Sequence, residues 1–269
     1  MSAWSVLTVA VLVLAGVVAG IIGTAGGITS LVAYPALLAV GLPPFAANVT
    51  NSVALLGSGA SSAFRAREQL RDHPTTIRRW LPLTVGASTA GAVLLVVTPA
   101  HLFDRIVPFL VLAGGALLLL QPVLDRRRRR APTGATAPTG AAAPTGAAAP
   151  TGTGAAVPSI AGVGLYNGYF GAGAGVLMIA VLLLTGEPDL PRANAVKNVL
   201  LLAADLVPAV VFAVSGHVVW SAALALGAGA VVGGLIGPTV AGRVPHGVLR
   251  IAIAGCSVAL AVYLFVTVG

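Results

Sequence analysis

Apolar residues fill long segments of this chain, and polar residues are confined to short gaps between them. The apolar segments are 4–22, 28–40, 46–64, 80–98, 103–124, 157–170, 174–186, 193–214, 218–241 and 247–268. Because a helix of about 20 apolar residues crosses a bilayer, the pattern predicts an all-α, polytopic membrane protein with about eight full spans. Segments 28–40, 157–170 and 174–186 have only 13 or 14 residues. They predict broken or re-entrant short helices that are enclosed by protein.

The composition supports this interpretation. Hydrophobic residues make up 57% of the 269 residues and charged residues only 8%, whereas soluble proteins have about 25% charged residues. So few charges cannot cover the surface of a soluble domain. The composition therefore excludes a soluble enzyme, a coiled coil and a secreted disulfide scaffold, and we expect a multi-pass protein of the cell membrane.

The formal net charge of +8 comes largely from arginines beside the apolar segments. Basic residues in such positions mark cytoplasmic loops, so they indicate topology rather than nucleic-acid binding. Two clusters hold ten of the fifteen basic residues: Arg65, Arg67, Arg71, Arg78 and Arg79, and then Arg126–Arg130.

Range 126–156 combines the second arginine cluster with a tandem repeat of the type A-P-T-G over 131–154. Alternating Pro and Gly prevent helix formation, and no large apolar side chain is present to be buried. We expect a disordered cytoplasmic linker that joins a first transmembrane repeat, 1–125, to a second, 157–269.

The two halves resemble each other in sequence. The run GIIGTAGG at 20–27 recurs 148 positions later as GYFGAGAG, and ANVTNSVALL at 47–56 recurs 146 positions later as ANAVKNVLLL. Such matches indicate an internal duplication. Because each half has an odd number of segments, the two helical repeats would be inverted in the membrane, with both chain termini outside.

The glycine runs supply the first candidate binding residues. Glycine lets the chain leave helical geometry, and a half-helix that begins inside the membrane presents N–H groups and its positive dipole end to an anion. The alternative is close helix packing through small residues. The candidates are Gly23, Thr24, Gly26 and Gly27 in the first half, and Gly171, Gly173 and Gly175 in the second.

The Asn-rich motifs supply the second set of candidates: Asn48, Thr50, Asn51 and Ser52, and then Asn194, Lys197 and Asn198. Amide and hydroxyl groups can donate hydrogen bonds to an oxyanion, and Lys197 adds a positive charge. A charge in a membrane helix costs about 2.5–3.5 kcal/mol on insertion scales, so Lys197 should face a cavity or a partner. Alternatively, Lys197 lies about one turn from Arg192 and snorkels to the headgroups.

Asp205 is the deepest acidic residue, within LLLAADLVPAVVF. It follows Lys197 by eight positions, which is about 12 Å along a helix, so the two side chains should not pair directly. Because burial disfavours the charged form of a carboxyl group, Asp205 is a candidate for proton coupling. The alternative is a structural acid near Pro208.

These motifs resemble the TauE/SafE family of sulfite exporters. The resemblance covers the chain except the linker. It rests on GTAGGITSLVAYPALLAVGLPPFAANVTNSVALLGSGASSAFRAREQL in the first half, and on GYFGAGAGVLMIAVLL, RANAVKNVLL and GHVVWSAALALGAGAVVGGLIGPTVAGRVPHGVLR in the second. It implies an inner-membrane transporter for small anions, often sulfur-containing oxyanions or organosulfonates, whose path is lined by the duplicated motifs. The chain departs from the family pattern at Asp205 and in its long linker.

The combined prediction is a secondary transporter, not an enzyme, that moves a small anion through a midplane site between the repeats. Proton-motive force acting through Asp205 is a candidate drive. We expect no cofactor and no metal, since the sequence has no H-x-x-x-H, paired-Cys or clustered-carboxylate pattern. The expected partners are the small anionic substrate and the lipid bilayer, and a homo-oligomer is left open. The alternative function, a non-transporting scaffold or assembly partner, would scatter its polar residues over helix contacts.

Overall fold

The computed structural model describes residues 5–26, 29–66, 74–130, 153–185, 187, 190–241, 255, 257–262 and 264–266. Over these residues the protein is all-α, and residues 257–262 and 264–266 are helical after the last full helix. The helices are α1 (Val6–Gly26), α2 (Ser30–Ala39), α3 (Pro44–Ala54), α4 (Leu56–Ala66), α5 (Pro74–Val97), α6 (Ala100–Arg130), α7 (Thr153–Tyr169), α8 (Ala174–Leu184), α9 (Leu190–Val214) and α10 (Trp220–Ala241). Residues 126–130 and 153–156 of the expected disordered linker are instead helical, in α6 and α7, and its residues 131–152 lie outside the described residues.

Four helices in the described part of the chain are long and apolar enough to cross a membrane. Their spans are Val6–Gly23, Thr75–Val97, Leu190–Val214 and Trp220–Gly237. These helices confirm the predicted all-α membrane architecture, but the expected number of about eight full spans is not reached among the described residues. One reason is that the expected span 46–64 is divided between two short helices, and another is that most of the expected span 247–268 lies outside the described residues.

The expected single helix over 46–64 is divided in two. α3 ends at Ala54 and α4 begins at Leu56, with Leu55 between them. Gly57 and Gly59 follow this junction at once, and glycine has a weak helix propensity. The prediction of one helix was therefore wrong, and the division separates the first Asn-rich motif on α3 from the serines of α4.

The two predicted helix breaks differ in position. In the second half α7 ends at Tyr169 and α8 begins at Ala174, and between them Gly171 and Gly173 have positive φ angles of 76° and 81°. Glycine is the residue that adopts this conformation without steric cost, as expected from the sequence. In the first half α1 continues through Gly26, so residues 23–26 of the predicted break at 23–27 are helical. Here Gly23 serves a close contact, because it lies directly against the Thr29 side chain.

Glycines bring two helix pairs into backbone contact: α1 with α10, and α5 with α7. At each contact a Cβ atom would clash with a carbonyl group of the partner helix. The contacts are Gly20 with Ala230 and Gly233 with Val17 between α1 and α10, and Gly168 with Ser88 and Gly91 with Leu165 between α7 and α5. Both of these contacts of the first pair have a counterpart in the second, and the first helix of each half packs against a late helix of the other half.

Aromatic rings hold the turn between α7 and α8 in place. Phe170, at this turn, makes an edge-to-face contact with Tyr34 of α2, with ring centroids 5.5 Å apart. Phe103 of α6 lies 6.4 Å from Phe170 and 5.8 Å from Phe45 of α3. Such ring pairs contribute about 0.5–1.5 kcal/mol beyond their buried area. This turn of the second half is thus anchored to α2 and α6 of the first half.

Candidate functional site

A cavity of about 100 Å³ lies where the two helix breaks meet. Helices α1, α2, α4, α7, α8 and α9 all contribute to its wall. Its volume accommodates a few water molecules or one small ion. The polar side chains that line it are Thr29, Ser30, Ser58, Ser62, Asn167, Lys197, Asn198 and Asp205.

The amino-terminal ends of two short helices face this cavity. Ser30 is the first residue of α2, and Gly175 lies in the first turn of α8; both line the cavity. The start of a helix carries the positive end of its dipole. In α8 the N–H groups of Ala174 and Val176 already donate to the carbonyl oxygens of Gly171 and Gly173, at 3.1 and 3.0 Å. The N-cap residues Thr29 and Gly173 make no side-chain capping hydrogen bond. The arrangement therefore directs two positive helix ends towards one small space.

Hydrogen bonds fix the backbone of the α7–α8 turn. The carbonyl oxygen of Tyr166 accepts the N–H groups of Phe170 and Gly171 at 2.9 and 3.0 Å. The Tyr166 hydroxyl donates to the carbonyl oxygen of Ala172 at 2.6 Å. Gly114 of α6 lies directly against Ala172. The start of α8 consequently has a defined position relative to the cavity.

Lys197 is the positively charged side chain of the cavity. It is only 2% exposed, and its Nζ donates to Oδ1 of Asn194 at 2.8 Å. A lysine that snorkels to the headgroups keeps its amine at the surface, so the snorkelling alternative does not fit this geometry. Asn194 lies one turn earlier on α9 and orients the amine, while Asn198 joins Lys197 at the cavity wall.

Asp205 lies on the same wall, about two helical turns beyond Lys197. Nδ2 of Asn167 on α7 donates to its Oδ1 at 2.6 Å, and the same amide lies 3.4 Å from the Ser88 hydroxyl of α5. The partner of Asp205 is therefore Asn167, not a carbonyl group freed by Pro208. Sequence reasoning missed Asn167, although an amide inside the apolar segment 157–170, directly before the glycine run, was a signal for it.

Sequence reasoning also missed the hydroxyl groups of the cavity. Ser58 and Ser62 lie one turn apart on α4 and are buried, and Thr29 and Ser30 lie at the start of α2. The spacing of the two serines was the available signal, because residues four apart share a helix face. The expectation of a single helix over 46–64 hides this signal.

The Asn-rich motif of the first half does not line the cavity. Nδ2 of Asn48 donates to the carbonyl oxygen of Tyr169 at 3.0 Å, and the Thr50 hydroxyl accepts the N–H of Val219 at 3.0 Å. The Ser52 hydroxyl donates to the carbonyl oxygen of Asn48. These bonds connect α3 to the end of α7 and to the loop before α10.

Only some residues of the two predicted glycine runs line the cavity. Gly23, Gly171 and Gly175 line the cavity. Gly173 is the N-cap of α8, and the backbones of Thr24 and Gly26 belong to the last turn of α1. Residue 27 lies outside the described residues.

Comparisons with known proteins match nearly the whole chain. The family described as "Sulfite exporter TauE/SafE" matches residues 8–264. A "Probable membrane transporter protein" of Haemophilus influenzae is 28% identical over 236 residues, which are 85% of this chain and 83% of that protein. "Probable membrane transporter protein ORF9" of Sinorhizobium sp. is 28% identical over 263 residues, 95% of this chain and 91% of that protein. "Probable membrane transporter protein YfcA" of Escherichia coli K12 is 27% identical over 242 residues, 87% of this chain and 80% of that protein. No solved structure gives a significant match.

Proposed function

Because the chain belongs to the TauE/SafE sulfite exporter family of multi-pass membrane transporters, we propose that it is a secondary transporter of small sulfur-containing oxyanions or organosulfonates. The observation that carries this proposal is the cavity in which the first turns of α2 and α8 meet Lys197. When the Asp205 carboxyl group on the same wall is protonated, two helix N-termini and one ammonium group form a positive environment inside an apolar protein. An anion is the ligand that this environment stabilises.

The groups around the cavity can bind an oxyanion without chemical reaction. Backbone N–H groups, the Lys197 amine and the hydroxyls of Ser58 and Ser62 are all able to donate hydrogen bonds. Hydrogen bonds to a charged acceptor are about twice as strong as those between neutral groups. Polar groups of α2, α4, α7 and α9 converge on one space, as a transporter requires, whereas those of α3 make helix contacts.

The helix directions support two inverted repeats. Residue numbers at the contacts rise along α1 and α10 in the same direction, since Gly16 lies against Leu226 and Gly20 lies against Ala230. These two helices are therefore parallel. The equivalent glycine contacts between α7 and α5 advance in the same way.

Contacts in the second half give the relative directions of α7, α9 and α10. α7 and α9 are parallel, since Ala156 and Ala193 near their starts belong to one apolar cluster and Asn167 meets Asp205 further along. α9 and α10 are each long enough to span the membrane and are joined by only five residues, Ser215–Val219. Two successive spans with so short a connection cross in opposite directions. It follows that α1 runs opposite to α7, the relation expected for inverted repeats.

This arrangement assigns the sides of the membrane. With the arginine clusters on the cytoplasmic side, the linker that joins repeats 1–125 and 157–269 is cytoplasmic and both chain termini are outside. Alternating access then consists of movement of one repeat against the other around the cavity. Asp205, which lies in the cavity together with Lys197, is the group through which proton movement drives anion movement.

The test of this function is sulfite and organosulfonate flux in proteoliposomes. We expect Lys197→Ala to reduce flux at least about tenfold, because the loss of a hydrogen bond to a charged group costs about 1.5–3 kcal/mol. Lys197 is the only lysine of the sequence, so no other ammonium side chain can replace it.

The matched control is Arg192→Ala, which removes an exposed positive charge from the first turns of the same helix. We expect this variant to retain its flux. Equal flux of the wild type and the Lys197 variant would remove Lys197 from the transport path.

A further inference from the structure

A second cavity lies between the start of α5 and the end of α8, and it shares no lining residue with the anion cavity. Its volume is about 180 Å³, so it accommodates a larger group than the anion cavity does. The membrane span of α5 begins at Thr75 and that of α9 at Leu190. The cavity therefore lies at the level of the lipid headgroups. Its lining residues are Thr75, Thr76, Arg79, Trp80, Thr185 and Glu187.

The wall formed by the end of α8 is negative. Glu187 is only 8% exposed, and among the residues that the structure describes its carboxylate has no hydrogen bond and no ion pair. Its N–H donates to the carbonyl oxygen of Leu182 at 3.1 Å, which holds Glu187 against the end of α8. The end of a helix carries the negative end of its dipole. Because a buried charge without a partner is strongly destabilising, this wall favours a cation that can donate hydrogen bonds.

The wall formed by α5 is positive. Thr75 and Thr76 lie in the first turn of this helix, at the positive end of its dipole, and their hydroxyls can donate hydrogen bonds. The guanidinium carbon of Arg79 lies 4.6 Å from the centre of the Trp80 ring. The aromatic face attracts the cation and keeps it at this wall. Hydrogen bonds from such charged and polar donors suit a phosphate group.

We propose that this cavity binds the headgroup of an ethanolamine phospholipid, with the ammonium group at Glu187 and the phosphate at Arg79 and the start of α5. This headgroup joins a primary ammonium to a phosphate through two carbons, so it matches a small cavity with one negative and one positive wall. A choline headgroup has no N–H group that could donate to Glu187. A headgroup with only a negative charge would be repelled by the buried carboxylate.

The surroundings of the cavity favour a lipid over a soluble zwitterion. Leu184, directly before the lining residue Thr185, is 74% exposed, and Leu190 at the start of α9 is 48% exposed. Trp80 belongs to the cavity wall, and tryptophan is enriched where membrane proteins meet the headgroups. Acyl chains can therefore continue along exposed apolar side chains while the headgroup occupies the cavity.

The direct test is retention of lipids by the purified, detergent-solubilised protein, measured by native mass spectrometry. Phosphatidylethanolamine, phosphatidylcholine and phosphatidylglycerol with identical acyl chains are supplied in equal amounts. We expect the ethanolamine lipid to be retained at least about tenfold better than the other two, because only it donates hydrogen bonds to Glu187. Equal retention of the three lipids would overturn the proposal.

A competition experiment separates the lipid from a soluble ligand with the same polar groups. Glycerophosphoethanolamine has this headgroup but no acyl chains. We expect it to displace phosphatidylethanolamine only at a much higher concentration than the lipid itself. Displacement at an equal concentration would show a site for a soluble zwitterion and overturn the assignment to a lipid.

Glu187→Gln removes the negative charge and keeps the size of the side chain. We expect the preference for phosphatidylethanolamine to fall at least about tenfold. The control is Asp104→Asn near the start of α6, which follows the far end of the α5 span and so lies at the opposite membrane boundary. This variant should keep the wild-type preference. An unchanged preference in Glu187→Gln would contradict the site.

Arg79→Gln tests the phosphate side of the cavity. We expect weaker retention of phosphatidylethanolamine, whereas Arg78→Gln, which removes an exposed neighbouring charge that does not line the cavity, should retain it as the wild type does. Equal losses in the two variants would indicate a general effect of surface charge and contradict the site. The assay contains no transported anion, so its result is independent of whether the protein moves sulfite.

Discussion

At the residue scale, the cavity is defined by a few side chains whose roles depend on neighbours from other helices. The sequence could predict that Lys197 and Asp205 matter, because charged residues in apolar segments are costly and need a reason. It could not predict that Asn167 is the partner of Asp205, since this contact joins α7 to α9 across 38 residues. Tertiary structure also decides that Asn48 and Asn51 lie elsewhere, although their motif matches the one that contains Lys197.

Asp205→Asn tests proton coupling at this scale. Asparagine keeps the size of the side chain and can still accept the hydrogen bond from Asn167, but it cannot bind or release a proton. We expect sulfite flux in proteoliposomes to lose its dependence on pH and on an imposed pH gradient. A variant whose pH profile matches that of the wild type would end the role of Asp205 in coupling.

At the scale of helices, the sequence predicted the break between α7 and α8 well, because two of its glycines adopt a backbone conformation that other residues avoid. Gly171 and Gly173 adopt positive φ angles. The same reasoning failed for Gly23, because this glycine serves close packing against Thr29 within the continuous helix α1. A glycine run indicates either a break or a close contact, and only the neighbouring element decides between them.

Gly91→Ala tests the backbone contact between α5 and α7. A Cβ atom at this position would clash with the carbonyl oxygen of Leu165, so we expect a loss of stability of about 1–3 kcal/mol, as for other overpacked sites. Thermal unfolding in detergent measures it as a lower Tm.

The control for this prediction is Gly86→Ala on the same helix, where a Cβ atom meets no other group within 4 Å. Here the removal of a glycine from a helix should leave Tm unchanged or raise it, because alanine is favoured by about 0.5–1 kcal/mol. If both variants have the same Tm, the close approach of α5 and α7 is not as described.

At the scale of the whole molecule, the sequence predicted the membrane class from composition and the duplication from two short motifs. The number of spans could not be predicted in the same way. Apolar segments such as 46–64 look uniform in sequence, yet α3 and α4 divide at Leu55 and take their positions from packing against α9 and α10. Hydrophobicity indicates that a segment is buried, but it does not distinguish a full span from a helix that is enclosed by its neighbours.

The central claim is that the starts of α2 and α8 and the amine of Lys197 hold an anion between the two halves. Selenite, an oxyanion with the geometry of sulfite and a strong anomalous signal, tests this claim directly in crystals of the protein. We predict one anomalous peak within hydrogen-bonding distance of Lys197 and of the first turns at Ser30 and Gly175. Selenite bound elsewhere in the protein, with no peak in this cavity, would contradict the account.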